Sequence, residues 1–181
     1  MKEKALSTVK AYKRSPALAN STWYKGILVS QIAGVADNNG AFDIMVAKMK
    51  RGTEPPPHVH SREDEIFYVL EGEMKVYVDG EVFPVTAGDF MFLPRQKPHA
   101  FLVGSEQIHV VAFLTPGGFT DAVNKMNVPA ERMEIPADKD VVTYANADLT
   151  ETMKIFEKYE VRMLTPDEVR TVMPLYPFPR A

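Results

Sequence analysis

The chain contains no cysteine in its 181 residues. That excludes disulfides, thiolate metal ligands and cysteine nucleophiles, so any metal must be held on nitrogen and oxygen. It also lacks a continuous apolar run of the roughly 18 residues a transmembrane helix needs, and no membrane partner is expected. Charge of either sign is not in large excess: the formal net charge is -3. Without a basic field, nucleic acid is not an expected partner. No G-x-S-x-G elbow, phosphate-binding loop or helix-turn-helix pattern competes for the function. Met1 to Arg14 is charged and has no apolar centre, so it does not read as a secretory signal. Together with the missing cysteine this fits a cytoplasmic protein.

What is present is strand-like. A hydrophobic content of 45% suffices for one sizeable core. Residues 1 to 20 read as an arm, with Ser15-Pro16 discouraging helix. Such an arm either stays disordered or packs on a partner subunit. Trp23 to Ala33 reads as a strand or a bent pair of strands, followed by an Asp37-Asn38-Asn39-Gly40 turn. Strands are then expected over Ala41–Lys50, Ile66–Leu70, Met74–Val78, Val82–Val85, Phe90–Leu93, His99–Val103 and Gln107–Thr115. Asp79-Gly80 is a hairpin signal, and Pro84 predicts an edge strand or an early end. Short strands at even spacing with glycine turns predict a sandwich, jelly roll or barrel. Phe119–Met126 reads as a short helix and 127 to 147 as loop with at most one strand. Asp148–Glu160 is the strongest helix: Asp148 can cap it, and Leu149, Met153, Phe156 and Tyr159 fall near one face. The proline-rich tail from Met173 to Ala181 is expected to be extended. The division is therefore an arm (1–20), a barrel (21–119) and an extension (120–181) with a helix near 148–160.

Three of the four histidines fall between Gly52 and Val103. His58 and His60 are two residues apart, so on a strand both rings share one face. Glu65 starts the next apolar stretch and can return to the same pocket. His99 opens a later strand and can complete the set from across the barrel. Three imidazoles and one carboxylate suit Fe, Mn, Ni, Co, Cu or Zn; Ca and Mg prefer oxygen. Four ligands leave octahedral positions open to a small molecule. Pro55-Pro56-Pro57 stiffens the entry to His58.

These residues resemble the cupin family. Its first motif, G-x5-H-x-H-x3,4-E-x6-G, is matched throughout by Gly52, His58, His60, Glu65 and Gly72. Its second, G-x5-P-x-G-x2-H-x3-N, is matched at Gly88, Pro94 and His99. Gln96 stands at the usual glycine and Val103 at the usual asparagine, and neither is a ligand position. The resemblance implies an all-β, double-stranded β-helix jelly roll with a short C-terminal helical extension and one divalent transition metal on His58, His60, Glu65 and His99. The run from Pro56 to Gly72, with Thr115-Pro116-Gly117-Gly118-Phe119, is similar to the quercetin 2,3-dioxygenase-like group. That implies dioxygenation of an enolisable or flavonol-like aromatic substrate, with Glu65 as ligand and base together. A non-catalytic metal-containing binding or sensing protein, and a metal-dependent isomerase or decarboxylase, are the alternatives.

Strand parity nominates Phe67 and Val69, which share the face of Glu65, and Phe101 and Val103, which share that of His99, as pocket walls; for any single one of them core is the favoured alternative. Phe90 and Phe92 lie on one face and Met91 and Leu93 on the other, with the inner pair left open. Met45, Ala47 and Met49 are wall or core, core being favoured. His109 reads as a buried structural histidine, with a substrate contact or a partner to a ligand as the other roles. Arg95 and Lys97 either meet an anionic substrate or are solvated. Glu63 and Asp64 are expected to be exposed. The partners implied are a small-molecule ligand and, since jelly-roll cupins commonly pair, a second copy in a homodimer.

Overall fold

The computed structural model describes residues 8–137, 142–145 and 148–177. After a single 3-10 turn at Leu18–Asn20 come β1 (Ser21–Tyr24) and β2 (Ile27–Ala33). They form the bent pair, joined through Lys25 and Gly26, whose φ angles of 49° and 87° are those of a tight hairpin turn. A short helix α1 (Val35–Asn38) precedes Asn39 and Gly40, both at positive φ. The strands β3 (Asp43–Lys50), β4 (His58–His60), β5 (Asp64–Glu71), β6 (Glu73–Val78), β7 (Glu81–Thr86), β8 (Phe90–Leu93), β9 (His99–Val103) and β10 (Gln107–Thr115) follow. Then come α2 (Phe119–Asn124), β11 (Val128–Pro129), α3 (Thr150–Glu157), β12 (Val161–Met163) and α4 (Pro166–Val172).

These strands make an all-β jelly roll of two antiparallel sheets. One has seven strands in the order β11-β1-β2-β3-β10-β5-β8, the other five in the order β12-β4-β9-β6-β7. Alternation sets the inner faces: on β3 Met45, Ala47 and Met49 are buried while Ile44, Val46 and Lys48 are less so. On β8 the inward pair is Met91 and Leu93, with Phe90 and Phe92 exposed. Val69, Val76, Leu93, Val110 and Leu114 join the two faces into one core. Each such side chain contributes about 1.5–3 kcal/mol by leaving water. β7, which carries Pro84, is an edge strand. Gly72, at φ +85°, has no room for a side chain: a Cβ there would sit 2.6 Å from the Gln107 carbonyl oxygen.

The segments flanking the barrel are tied to it. In the arm, Arg14 pairs with Asp37 at 2.8 Å and the Tyr12 hydroxyl donates to the Ile32 carbonyl. At the other end the sequence reading missed β12, which extends the five-stranded sheet by pairing with β4. It also missed α4, capped by Thr165 and Glu168 reciprocally. The tail is not extended over its described part. Met173 is buried and its carbonyl accepts from Tyr176 N–H at 3.0 Å, a turn that seats Tyr176 against Tyr77. The rest of the expected extended tail, 178–181, lies outside the described residues. Asp148 does not cap α3 as expected: Leu149 holds the capping position without a side-chain bond, and Asp148, one residue earlier, accepts from the Thr150 N–H and hydroxyl. No helix among the described residues is long and apolar enough to cross a membrane.

Candidate metal centre

His58 and His60 occupy alternate positions of β4, and His58 lies directly opposite His99 on β9. Their rings are 4.6 Å apart. The expectation that His99 would reach from across the barrel is therefore corrected. The three imidazoles belong to one sheet, and Glu65 reaches over from β5 of the other, because the 61–63 loop carries the chain between sheets. One ligand atom from each of His58, His60, Glu65 and His99 lies within 4.8 Å of the others. All four residues are buried.

The ring orientations follow from what holds each Nδ1. That of His58 lies 2.8 Å from the Pro56 carbonyl oxygen, that of His99 3.0 Å from the Lys97 carbonyl oxygen, and that of His60 3.4 Å from Glu63 Oε2. An acceptor at every Nδ1 keeps the proton there and leaves the Nε2 lone pair facing inward. Nε2 of His60 and of His99 are buried with no hydrogen-bond partner among the described residues. His99 Nε2 is nonetheless 3.2 Å from Glu65 Oε2, and His60 Nε2 is 3.9 Å from it. Lone pairs and a carboxylate thus converge on one buried point with no proton between them. This arrangement is costly unless a cation occupies it, and the donor set of three nitrogens and one carboxylate fits a divalent transition metal.

Burial, then the neighbouring His99 and His60, push the His58 imidazole down to about 3, so it is a neutral donor. Without a bound ion, burial raises the Glu65 carboxyl, and only protonated His99, His60 and His58 rings bring it below the usual carboxylate range.

Glu63 is not exposed as expected. It is fully buried, and its carboxylate links the Arg62 guanidinium (3.0 Å) to the His60 ring. Arg62 in turn donates to the Gly117 carbonyl at 2.6 Å. The available signal was its spacing, three residues after His60 and beside an arginine. Asp64 is half-buried and holds Arg95 through two side-chain bonds of 3.0 and 2.7 Å. Lys97 pairs with Asp79 at 3.0 Å. His109 is neither buried nor near the centre: it stands on the outer face of β10 beside Lys48 and Glu71. Gln96 adopts φ +64°, the left-handed conformation that explains the glycine usual there.

A cavity of about 90 Å3 adjoins the cluster, and His58 and Glu65 form part of its wall. Phe67 and Phe101 line it; Val69 and Val103 do not, being packed in the core one strand step further from the ligands. Met45, Ala47 and Met49 also line it. Among the further lining residues, which sequence reasoning did not nominate, are Tyr24, Phe119, Tyr144, Phe156, Val161 and Met163. Phe119 links centre and wall, lying 5.1 Å from the His60 ring and stacked on Phe156 at 5.8 Å.

The cupin-domain family model matches residues 45–114, the stretch that carries all four clustered residues. That stretch is a cupin domain. Among curated relatives the chain is 26% identical to quercetin 2,3-dioxygenase of Bacillus subtilis over 113 residues, 62% of this chain and 34% of that protein. It is 36% identical to polyketide synthase CurC of Streptomyces cyaneus over 72 residues (39% and 47%). It is 30% identical to L-ectoine synthase of Halomonas elongata over 86 residues (46% and 61%). The matches thus span 34% to 61% of those relatives' lengths. Among solved structures, an RmlC-like cupin from Shewanella frigidimarina shares the fold, with a TM-score of 0.50 and 23% identity over 59% of this chain and 93% of that one.

Proposed function

We propose that this cupin is a metal-dependent enzyme that holds its ion on His58, His60, Glu65 and His99. Its substrate would be a small, largely apolar molecule with an enolisable carbonyl or phenolic oxygen, cleaved with dioxygen as oxidant. The observation that supports this is the junction of cluster and cavity: His58 and Glu65 belong to both, and the remaining walls are almost wholly apolar. When bound, a divalent transition metal would supply Lewis acidity and an open position for the substrate oxygen. Glu65, the one carboxylate of the cluster, would take the substrate proton. Phe67, Phe101 and the methionines of β3 would exclude water and hold the carbon skeleton. An apolar cavity of about 150 Å3 accommodates benzene, so a cavity of about 90 Å3 favours a substrate well below the size of a flavonol.

That same size favours a second reading, Lewis-acid isomerisation or decarboxylation without oxygen. The test is turnover of a small 1,3-diketone such as acetylacetone by protein loaded separately with Fe, Mn, Co, Ni, Cu and Zn. Oxygen uptake that is lost in Glu65→Gln, with metal content measured on the variant, supports dioxygenation. Product formed under anaerobic conditions supports the second reading, and saturable binding without product supports a sensor. A purified protein that retains none of these metals removes all three.

A further inference from the structure

Apart from His58 and Glu65, the polar side chains lining the cavity among the described residues are Tyr24 and Tyr144. Tyr24 comes from β1 and Tyr144 from the segment ahead of α3. Both are buried, their rings meet edge to face at 6.0 Å, and their hydroxyls are hydrogen-bonded to each other. Two hydroxyls carry two hydrogens. One is used in the bond between them, and the other has no acceptor among the described residues. Burial raises both phenols, Tyr24 and Tyr144, above the ordinary tyrosine range, so each remains a neutral donor at any physiological pH. A spare donor inside an apolar cavity is unfavourable until an occupant accepts from it.

We propose that Tyr24 and Tyr144 act as one neutral hydrogen-bond donor that reads an uncharged acceptor oxygen (ketone, ester or ether) on the molecule in the cavity. This rests on the reading of that cavity as the substrate site. It adds a requirement that the metal cluster does not impose: besides the oxygen that meets the metal, the substrate carries a second, neutral acceptor. Among the described residues no cation lines the cavity, so a second carboxylate or phosphate on the substrate is disfavoured. The pair also makes the C-terminal segment part of substrate selection, since Tyr144 lies outside the stretch matched by the cupin family.

The count of hydrogens gives a signature that a purely structural pair would not. In Tyr24→Phe or Tyr144→Phe the surviving hydroxyl loses its partner but gains a hydrogen to offer, so each single variant keeps the recognition. Only the double variant has none. The experiment is calorimetric titration of the full-length zinc-equilibrated protein with cyclopentanone and with cyclopentane, with zinc content measured on the same samples. Wild type and both single variants should favour the ketone, and the double variant should lose about five- to tenfold in ketone affinity with cyclopentane affinity unchanged. Both single variants should melt at lower temperature than wild type, because the mutual bond is gone. Unchanged ketone affinity in the double variant overturns the proposal, and so does a single variant that loses as much as the double. Should the double variant fail to fold, the tyrosine ultraviolet band of the wild type decides: it shifts with cyclopentanone and not with cyclopentane, and equal responses overturn the idea. Absence of zinc would count against the proposed function, whereas equal binding of the two probes would count only against the tyrosine pair.

Discussion

The ligand cluster and the cavity beside it are neighbours built in different ways. Three of the four clustered residues come from eight consecutive positions, His58 to Glu65, and the fourth faces His58 across one strand pair. Their orientation is settled locally, by carbonyls two residues away and by Glu63 three residues away. The cavity wall is drawn from β1, β2, β3, β4, β5, β9, β10, α2, α3 and β12, elements up to more than a hundred residues apart in the chain. Specificity for the ion is thus a local property of the sequence, and specificity for the occupant is a property of the assembled fold. Changes at the cluster should act on the metal and leave the cavity standing; changes at the wall should do the reverse.

The largest effect is expected from His99→Ala. It removes one of three nitrogen donors and leaves Glu65 without its nearest partner. Metal content after dialysis should fall from one per chain to near zero; a variant that keeps a full complement would break the assignment of the cluster. A second consequence concerns the metal-stripped protein. His58 titrates at about 3 in the fold, against about 6.5 in an unfolded chain. The unfolded state therefore takes up the proton first as pH falls. Stability of the stripped protein should decline from about pH 6.5 towards about pH 3, by at most about 1.4 kcal/mol per pH unit from this group. Denaturant unfolding at several pH values, repeated in His58→Gln, measures it; an unchanged slope in the variant would remove His58 as the cause.

The same division governs what could be read from the residues alone. The ligand set was legible because a period of two on a strand puts His58 and His60 on one face, and because the motif spacing reaches Glu65 and His99. Strand limits such as Phe90–Leu93 and Gln107–Thr115 were legible because glycine and proline punctuate them. The hand of the cluster was not: spacing says nothing about which sheet a strand joins, so Glu65 and His99 exchanged places across the barrel. Glu63 was misread because a carboxylate in a polar loop looks solvated until Arg62 and His60 close on it. β12 was invisible because Val161–Met163 is three residues long and earns its pairing from β4. Without it, neither Val161 nor Met163 could be placed in the wall.

On the wall side, Phe156→Ala should cost about 3–5 kcal/mol of stability, since the residue is buried and stacked on Phe119. Metal content should stay at one per chain. Chemical denaturation and metal analysis on the same preparation test both halves, and metal loss would show that cluster and wall are not separable. A smaller effect is expected from Glu63→Gln, which keeps the shape and removes the charge behind His60. Metal affinity, read by competition with a chelator, should fall about 10–100-fold. Wild-type affinity would mean that the His60 ring needs no carboxylate to hold it.

The smallest effect is expected at Gln96, in the loop that leads to His99. Its φ of +64° costs a non-glycine residue roughly 1–2 kcal/mol. The conformation cannot relax, because the Gln96 N–H donates to the His60 carbonyl at 2.7 Å and so ties the loop to β4. Glycine would relieve the strain but lose about 0.5–1 kcal/mol through its freer unfolded chain. Gln96→Gly should therefore stabilise the protein by no more than about 1.5 kcal/mol, and Gln96→Ala, which keeps a Cβ, should gain nothing. Neither should alter metal content, since the tie to His60 runs through the backbone. If Gln96→Gly destabilises instead, the glutamine side chain must itself hold the loop, and the departure from the motif would reach the ligands after all.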